Sequence, residues 1–284
     1  MNAPGIADIV ARIQHLPSLP AVVAELMAST EQEDIDLHAL ADKIALDQAL
    51  TARTLRLANP SFYGLPSKVT SIQQAISVLG FHSIRTLVTA CAVTASFTPT
   101  PGLDFDFEAF WRHSIGAAVC ARALAPRLRV SPESAFTAGL LHDLGTLVLA
   151  TRCPEQYRAV EAYRRQHDCS TGAAQLAVFG FDHAAIGSAL AERWQFPAAI
   201  QQAVAAHHQP PFGSDSAGDA AGLASAVYLA NVLAHALDLS GQEDDQAPPL
   251  APQAWALLRL SDSDCFALFR EAEQVFDDMR QILV

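Results

Sequence analysis

The feature that most constrains this chain is an adjacent histidine and aspartate, His142 and Asp143, inside the apolar segment at residues 139–145. Glycine and leucine make up the rest of the segment, and these residues are typical of a tightly packed helix. Burying an imidazole and a carboxylate is costly unless a partner compensates for the lost hydration, and a metal ion is a suitable partner. The fold is therefore expected to bring further polar groups to this segment.

Length and composition indicate a helical globular protein. The chain has 284 residues, of which 51% are hydrophobic and 17% are charged, which fits a compact fold and excludes general disorder. Alanine and leucine dominate and no strand pattern appears, so we expect an all-α fold. The predicted helices span residues 4–15, 20–29, 37–45, 48–58, 71–80, 83–97, 106–125, 132–150, 154–167, 171–179, 183–194, 197–208, 219–239, 251–259 and 262–283. Asp47, Ser131 and Asp182 are placed to cap three of these helices, and Ser71 starts another.

The clearest internal boundary is a segment at residues 98–105 that contains two prolines and a glycine. It divides the chain into two helical halves. We therefore expect an N-terminal helical half at residues 1–97, a linker at residues 98–105, a helical core at residues 106–240, and acidic closing helices at residues 241–284.

Charge and hydropathy restrict the partners and the location. The net charge of −12 argues against a nucleic-acid partner, because phosphate binding requires a basic surface. The N-terminus lacks a signal-peptide pattern, and the longest apolar run, residues 135–150, is interrupted by His142 and Asp143, so no membrane association is expected. The five scattered cysteines form no CxxC pair, which favours a reducing, cytoplasmic location.

Several histidines lie on the apolar stripes of predicted helices, which directs their imidazoles toward the interior. His207 and His208 end one predicted helix, so both could face the same cavity. Imidazole and carboxylate groups together suit iron, zinc, manganese or nickel, and this number of ligands suits one or two ions. The candidate metal ligands are His113, His142, Asp143, His183, His207, His208 and Asn231.

A different interpretation of the same residues stays open. They could form a hydrogen-bonded polar network that holds no metal, and Asn231 favours this interpretation because a neutral amide is a poor ligand. His235 is a candidate for supporting the ligands from outside. The other histidines lie at helix ends or on mixed faces, as is typical of surface residues; they are His15, His38, His82 and His167.

Several segments together resemble the HDOD (HD-related output domain) modules of the HD superfamily, over residues 10–240. The C-terminal part carries Phe-Trp-Arg-His-Ser at residues 110–114 and Leu-Leu-His-Asp-Leu-Gly at residues 140–145. The N-terminal part carries matching phrases at residues 16–20, 46–50, 55–59, 62–64 and 72–80. The resemblance implies an HD-domain-like helical core preceded by an N-terminal helical subdomain.

The HD-GYP phosphodiesterases are relatives that hydrolyse cyclic di-GMP at a centre of two or three metal ions. The resemblance implies that the six histidine and aspartate candidates match their metal ligands. Asn231 falls where these enzymes place a final aspartate, and Thr146 falls where they have a lysine near the substrate phosphate. Their Gly-Tyr-Pro loop is replaced by Gln-Pro-Pro-Phe at residues 209–212.

The resemblance implies a non-catalytic signalling module that acts through protein–protein interaction, with any metal in a structural role. Its expected partner is a histidine kinase, a response regulator or a component of the cyclic-di-GMP pathway. HDOD modules typically lose the metal ligands, and this chain retains more of them than the family would suggest.

The alternative is a metal-dependent phosphohydrolase acting on a cyclic dinucleotide or another phosphoester, in which an arginine from residues 121–165 replaces the lost lysine. A metal-centred sensor is a third hypothesis. Thr146 and Asn231 favour a protein that is not an enzyme.

Overall fold

A computed structural model describes residues 21–28, 37–59, 68–97, 102–103, 105–210, 219–241 and 247–283. Throughout these ranges the regular secondary structure is helical and no strand occurs, which confirms the predicted all-α fold. The helix predicted at residues 4–15 and the family phrases at residues 16–20 and 62–64 lie outside the described residues.

The N-terminal half consists of short helices around one long buried helix. The helices are α1 (Ala21–Ala28), α2 (Leu37–Ala45), α3 (Gln48–Ala58), α4 (Ile72–Leu79) and α5 (Phe81–Ser96). The Asp47 and Ser71 side chains cap α3 and α4 by accepting backbone N–H groups, as their positions in the sequence predicted. Helices α1, α3 and α4 all pack against α5, whose residues 86–94 are buried.

The C-terminal half is built around α6 (Phe107–Leu128). This helix makes its most extensive contacts with α7 (Pro132–Leu141) and α13 (Asp219–Ala236). Between them the chain forms α8 (Leu144–Arg152), α9 (Pro154–His167), α10 (Thr171–Phe179), α11 (His183–Arg193) and α12 (Ala198–Ala206). Helix α11 packs against both α8 and α12. The side chains of Asp106, Ser131 and Asp182 cap α6, α7 and α11.

One predicted helix was wrong, because residues 132–150 form two helices rather than one. Helix α7 ends at Leu141, and α8 begins at Leu144 after Asp143, whose backbone angles are φ −101° and ψ 4°. The Nδ1 atom of His142 lies 2.6 Å from the carbonyl oxygen of Gly139, the oxygen that would accept the N–H of Asp143 in a continuous helix. This bond between side chain and backbone competes with the helical pattern and redirects the chain at Asp143.

Two closing helices, α14 (Pro252–Leu258) and α15 (Asp262–Leu283), follow the core. Helix α15 packs against α6 and also against α3 and α5, so it contacts both halves of the chain. An ion pair of 3.2 Å joins Asp264 of α15 to Arg127 of α6. The buried apolar residues of both halves belong to one continuous hydrophobic cluster. Among the residues that the structure describes, no helix combines the length and the apolar character needed to cross a membrane.

Candidate metal centre

Four separate parts of the core bring the six histidine and aspartate candidates together. His113 lies in α6, His142 and Asp143 form the break between α7 and α8, and His183 is the first residue of α11. His207 and His208 follow the last turn of α12. The side chains form two groups, each with potential ligand atoms within 4.8 Å of one another: His113, His142 and Asp143 in the first, and His183, His207 and His208 in the second.

Glycines allow the helices that carry these residues to approach closely. A Cβ atom added at Gly145 would lie 1.9 Å from the carbonyl oxygen of His183 and 2.8 Å from the backbone nitrogen of Gly187. At Gly139 an added Cβ would lie 2.8 Å from the Cα of Ala118. Both contacts are with backbone atoms, which cannot rotate away. The small residues around His142 and Asp143 are therefore a condition for assembling the two groups.

The carboxylate of Asp143 lies between the two groups. Its Oδ2 atom is 3.6 Å from the Nε2 of His113 and 3.5 Å from the Nε2 of His142. Its Oδ1 atom is 3.0 Å from the Nε2 of His183 and 3.6 Å from the Nε2 of His207. One oxygen therefore faces each group, so this carboxylate would be available to an ion held by either group.

Hydrogen bonds fix which nitrogen of three rings carries the proton. The Nδ1 atoms of His142 and His207 lie 2.6 Å and 2.7 Å from the backbone carbonyls of Gly139 and Val204. Carbonyl oxygens only accept hydrogen bonds, so each Nδ1 must carry a hydrogen, and Nε2 of the neutral ring then presents its lone pair. The Nδ1 of His183 lies 2.7 Å from the Oε1 atom of Gln175, which has the same consequence.

These lone pairs converge at short range. The Nε2 atom of His183 is 3.3 Å from that of His207 and 2.8 Å from that of His208, and the Nε2 atoms of His113 and His142 are 3.3 Å apart. When both rings are neutral with Nδ1 protonated, His183 and His207 have no proton to share between their Nε2 atoms, and the nearby carboxylate is a further acceptor. These groups fit divalent metal ions held by imidazole and carboxylate, and a hydrogen-bonded network that holds no metal is the alternative.

Burial and charge shift the ionisation of the cluster in two directions. Burial opposes protonation of His183, but the charge of Asp143 and the hydrogen bond with it raise the pKa of His183 above its ordinary value, which favours the protonated ring when no metal is bound. Burial lowers the pKa of His142 to about 3, so this ring is neutral near pH 7. Burial also opposes ionisation of Asp143, but the adjacent His142 and His183 rings hold the pKa of the Asp143 carboxyl well below its usual range. The rings of His142 and His207 are fully buried, whereas His208 is exposed, so the cluster reaches the surface at His208.

The seventh candidate, Asn231, lies on α13 and is buried. Its Oδ1 atom has no hydrogen-bond partner among the described residues, so they leave this buried acceptor without compensation. One turn further along α13, the ring of His235 lies 4.4 Å from the ring of His113, measured between centroids. This contact places His235 beside the first group. Thr146 is half-buried in the first turn of α8, where its N–H donates to the carbonyl of Asp143 at 2.9 Å.

Sequence reasoning missed Gln175, which contacts His183 twice. A signal was present, because Gln175 is the only amide side chain in the apolar sequence of α10. The predicted histidine stripes did not include it, since it contacts the cluster from a different helix.

The fold and the cluster define the class of protein: an HD-like helical core with two joined groups of metal-type ligands. The HDOD domain family model matches residues 16–210, and the chain belongs to this family. Solved structures share this fold. A candidate phosphohydrolase from Shewanella amazonensis SB2B has a TM-score of 0.75 and 28% sequence identity, with 97% of this chain and 98% of that chain covered. An HDOD domain protein from Geobacter sulfurreducens has a TM-score of 0.74 and 24% identity, with 97% and 96% covered.

A curated relative from Treponema pallidum (strain Nichols), an uncharacterised protein, is 25% identical over 234 residues. The match covers 82% of this chain and 44% of the relative, so the chain spans less than half of that protein's length.

Proposed function

We propose that this chain is a non-catalytic regulatory module of bacterial signalling that holds one or two divalent metal ions in its helical core and acts by binding other proteins. The observation that carries the metal site is the carboxylate of Asp143, which directs one oxygen toward each group of imidazole nitrogens. Iron, zinc, manganese and nickel are the ions that such ligands suit.

A metal ion in this position has a structural effect on the core. The ligands come from α6, from the break between α7 and α8, and from the ends of α11 and α12. Ions bound there would hold these segments together, and their binding free energy would add to the stability of the folded state. Partner-binding surfaces on the same helices would then depend on metal occupancy. The proposed partners are a histidine kinase, a response regulator or a component of the cyclic-di-GMP pathway, and the proposed location is the cytoplasm.

Two residues support a role without catalysis. Thr146 offers a short neutral hydroxyl where the HD-GYP enzymes have a lysine near the substrate phosphate. Asn231 offers a neutral amide where they have a carboxylate, which leaves Asp143 as the one anionic ligand among the seven candidates. The centre therefore has less negative charge to balance two ions and lacks the matching phosphate contact.

Metal analysis of anaerobically purified protein tests the first part of the proposal. We expect one or two equivalents of metal in the wild type, a loss in Asp143→Ala, and no change in the control His82→Ala, which alters an exposed histidine of α5. Less than about a tenth of an equivalent in the wild type would refute the metal site.

An assay of the metal-loaded protein against cyclic dinucleotides, nucleotides and simple phosphodiesters tests the second part. We expect no turnover above the metal-free buffer. Hydrolysis that disappears in Asp143→Ala would refute the non-catalytic role.

A metal-dependent phosphohydrolase is the second candidate, and one geometric observation favours it. Two ligand groups that share a carboxylate are the arrangement of a two-metal centre, and the Shewanella protein with 28% identity is itself a candidate phosphohydrolase. Two ions held there would activate water and neutralise phosphoester charge. The exposed His208 marks the side from which a substrate would approach, and an arginine from residues 121–165 would have to bind its phosphate. The turnover assay above separates the two candidates.

A further inference from the structure

Gln175 lies in the buried face of α10 and reaches the first residue of α11. The residue is fully buried, and its Oε1 atom accepts hydrogen bonds from the backbone N–H of His183 at 2.8 Å and from the Nδ1 of the same residue at 2.7 Å. Burying an amide in an otherwise apolar helix is costly without partners. Both of its described bonds go to a single residue of the metal centre.

The geometry identifies the atoms without ambiguity. A backbone N–H only donates, so the side-chain atom of Gln175 that faces it must be the oxygen. The same oxygen faces Nδ1 of His183, so that nitrogen must carry a hydrogen. In the neutral ring the Nε2 atom is then left with its lone pair, and it lies 3.0 Å from the Oδ1 of Asp143 and 2.8 Å from the Nε2 of His208.

His183 needs this partner because of its place in the helix. His142 and His207 follow the last turns of α7 and α12, and their Nδ1 atoms bond to the backbone carbonyls of residues three positions earlier. His183 is the first residue of α11, so no earlier helical turn supplies it with a carbonyl. Another helix must provide the acceptor, and α10 provides it through Gln175.

We infer that Gln175 is a positioning residue of the metal centre, which holds the ring of His183 in the Nδ1–H tautomer and directs Nε2 to the ion bound by the second group. This inference rests on the metal site proposed above. Gln175 acts through His183 and is not itself a ligand. Its acceptor oxygen is the essential atom, so glutamate can replace glutamine at this position and leucine, of similar size, cannot.

Zinc affinity, measured by competition with a chromophoric chelator, tests the inference. We expect Gln175→Leu to weaken zinc binding by about 10- to 100-fold, the usual cost of losing a partner of a metal-bound histidine. Gln175→Glu should bind zinc at least as tightly as the wild type. The control is Gln201→Leu, which removes a 2.7 Å hydrogen bond to the carbonyl of Phe196 but no contact with a ligand, and it should leave zinc affinity unchanged.

Histidine side-chain ¹⁵N NMR of the metal-free protein provides a readout that general destabilisation does not change. At a pH high enough to keep the ring neutral, we expect His183 in the Nδ1–H tautomer in the wild type and in Gln175→Glu, and a mixture of tautomers in Gln175→Leu. Wild-type affinity and tautomer in Gln175→Leu would refute the inference. If Gln175→Leu does not fold, Gln175→Glu provides the test. A tenfold loss of zinc affinity in Gln175→Glu would also refute the inference. Equal zinc affinity of the wild type and Asp143→Ala would instead refute the metal centre itself.

Discussion

Replacing Gly145 by alanine should separate two helices and remove part of the metal centre. The added Cβ would lie 1.9 Å from the carbonyl oxygen of His183, whereas ordinary contacts of this kind begin at 3.4 Å, so α8 and α11 must move apart by about 1.5 Å. The Oδ1 of Asp143 and the Nε2 of His183 are 3.0 Å apart. A displacement of that size far exceeds the roughly 0.2 Å tolerance of metal–ligand distances.

The substitution should also destabilise the metal-free protein. Overpacking of a close contact costs about 1–3 kcal/mol, and a clash with the backbone of α11 at both His183 and Gly187 belongs at the upper end. For a chain of this size, about 3 kcal/mol corresponds to a fall in melting temperature of about 6–9 °C.

Thermal unfolding with and without zinc, together with metal analysis, measures both effects. The control is Gly172→Ala, in which an added Cβ has no atom within 4 Å and lies in helix α10. That variant should match the wild type or be up to about 1 kcal/mol more stable. If Gly145→Ala keeps the melting temperature and the metal content of Gly172→Ala, the proposed dependence of the site on close helix contact is wrong.

Further predictions concern the charges of the centre. Asp143→Asn should abolish the rise in melting temperature that zinc produces in the wild type, and a full rise would contradict a bridging role. Asn231→Asp adds a carboxylate and should tighten the binding of the weaker ion by roughly tenfold or more, measured by zinc titration. Burial lowers the pKa of His142 in the folded protein to about 3, below its ordinary value. As the pH falls, His142 is therefore protonated in the unfolded state before it is protonated in the folded state. Chelator-treated protein should lose stability as the pH falls from about 6.5 toward 3. Urea midpoints at several pH values should show this loss, and His142→Asn should flatten it. Thr146→Lys combined with Asn231→Asp should produce measurable phosphodiesterase activity if these two positions account for its absence.

Local signals in the sequence were sufficient for most helix boundaries. Asp47 and Asp182 each precede a helix at the position where their side chains cap it, and helices α2, α3, α9, α10 and α15 begin and end at the predicted residues. Capping depends on residues close in sequence, so it can be predicted without the tertiary structure. The apolar stripes likewise placed the six histidine and aspartate candidates on faces that the fold brings together.

Other features of the centre depend on contacts that a single helix does not reveal. The break at Asp143 was not predicted, because the apolar run around it favours a continuous helix and the competing bond depends on the rotamer of His142. Gln175 was missed for a similar reason. Its role follows from the packing of α10 against the start of α11, and periodicity within one helix carries no information about that contact.

The wide spacing of the ligands along the chain has a kinetic consequence. His113 and His208 stand at opposite ends of the ligand set, and every ligand lies in or beside a helix that packs against others of the core. A bound ion would close large loops of the chain, and its escape by unfolding would require several helices to separate at once rather than one end to fray. Metal exchange with a chelator should then follow the rate of global unfolding, so the lifetime of the bound ion would measure the kinetic stability of the whole core.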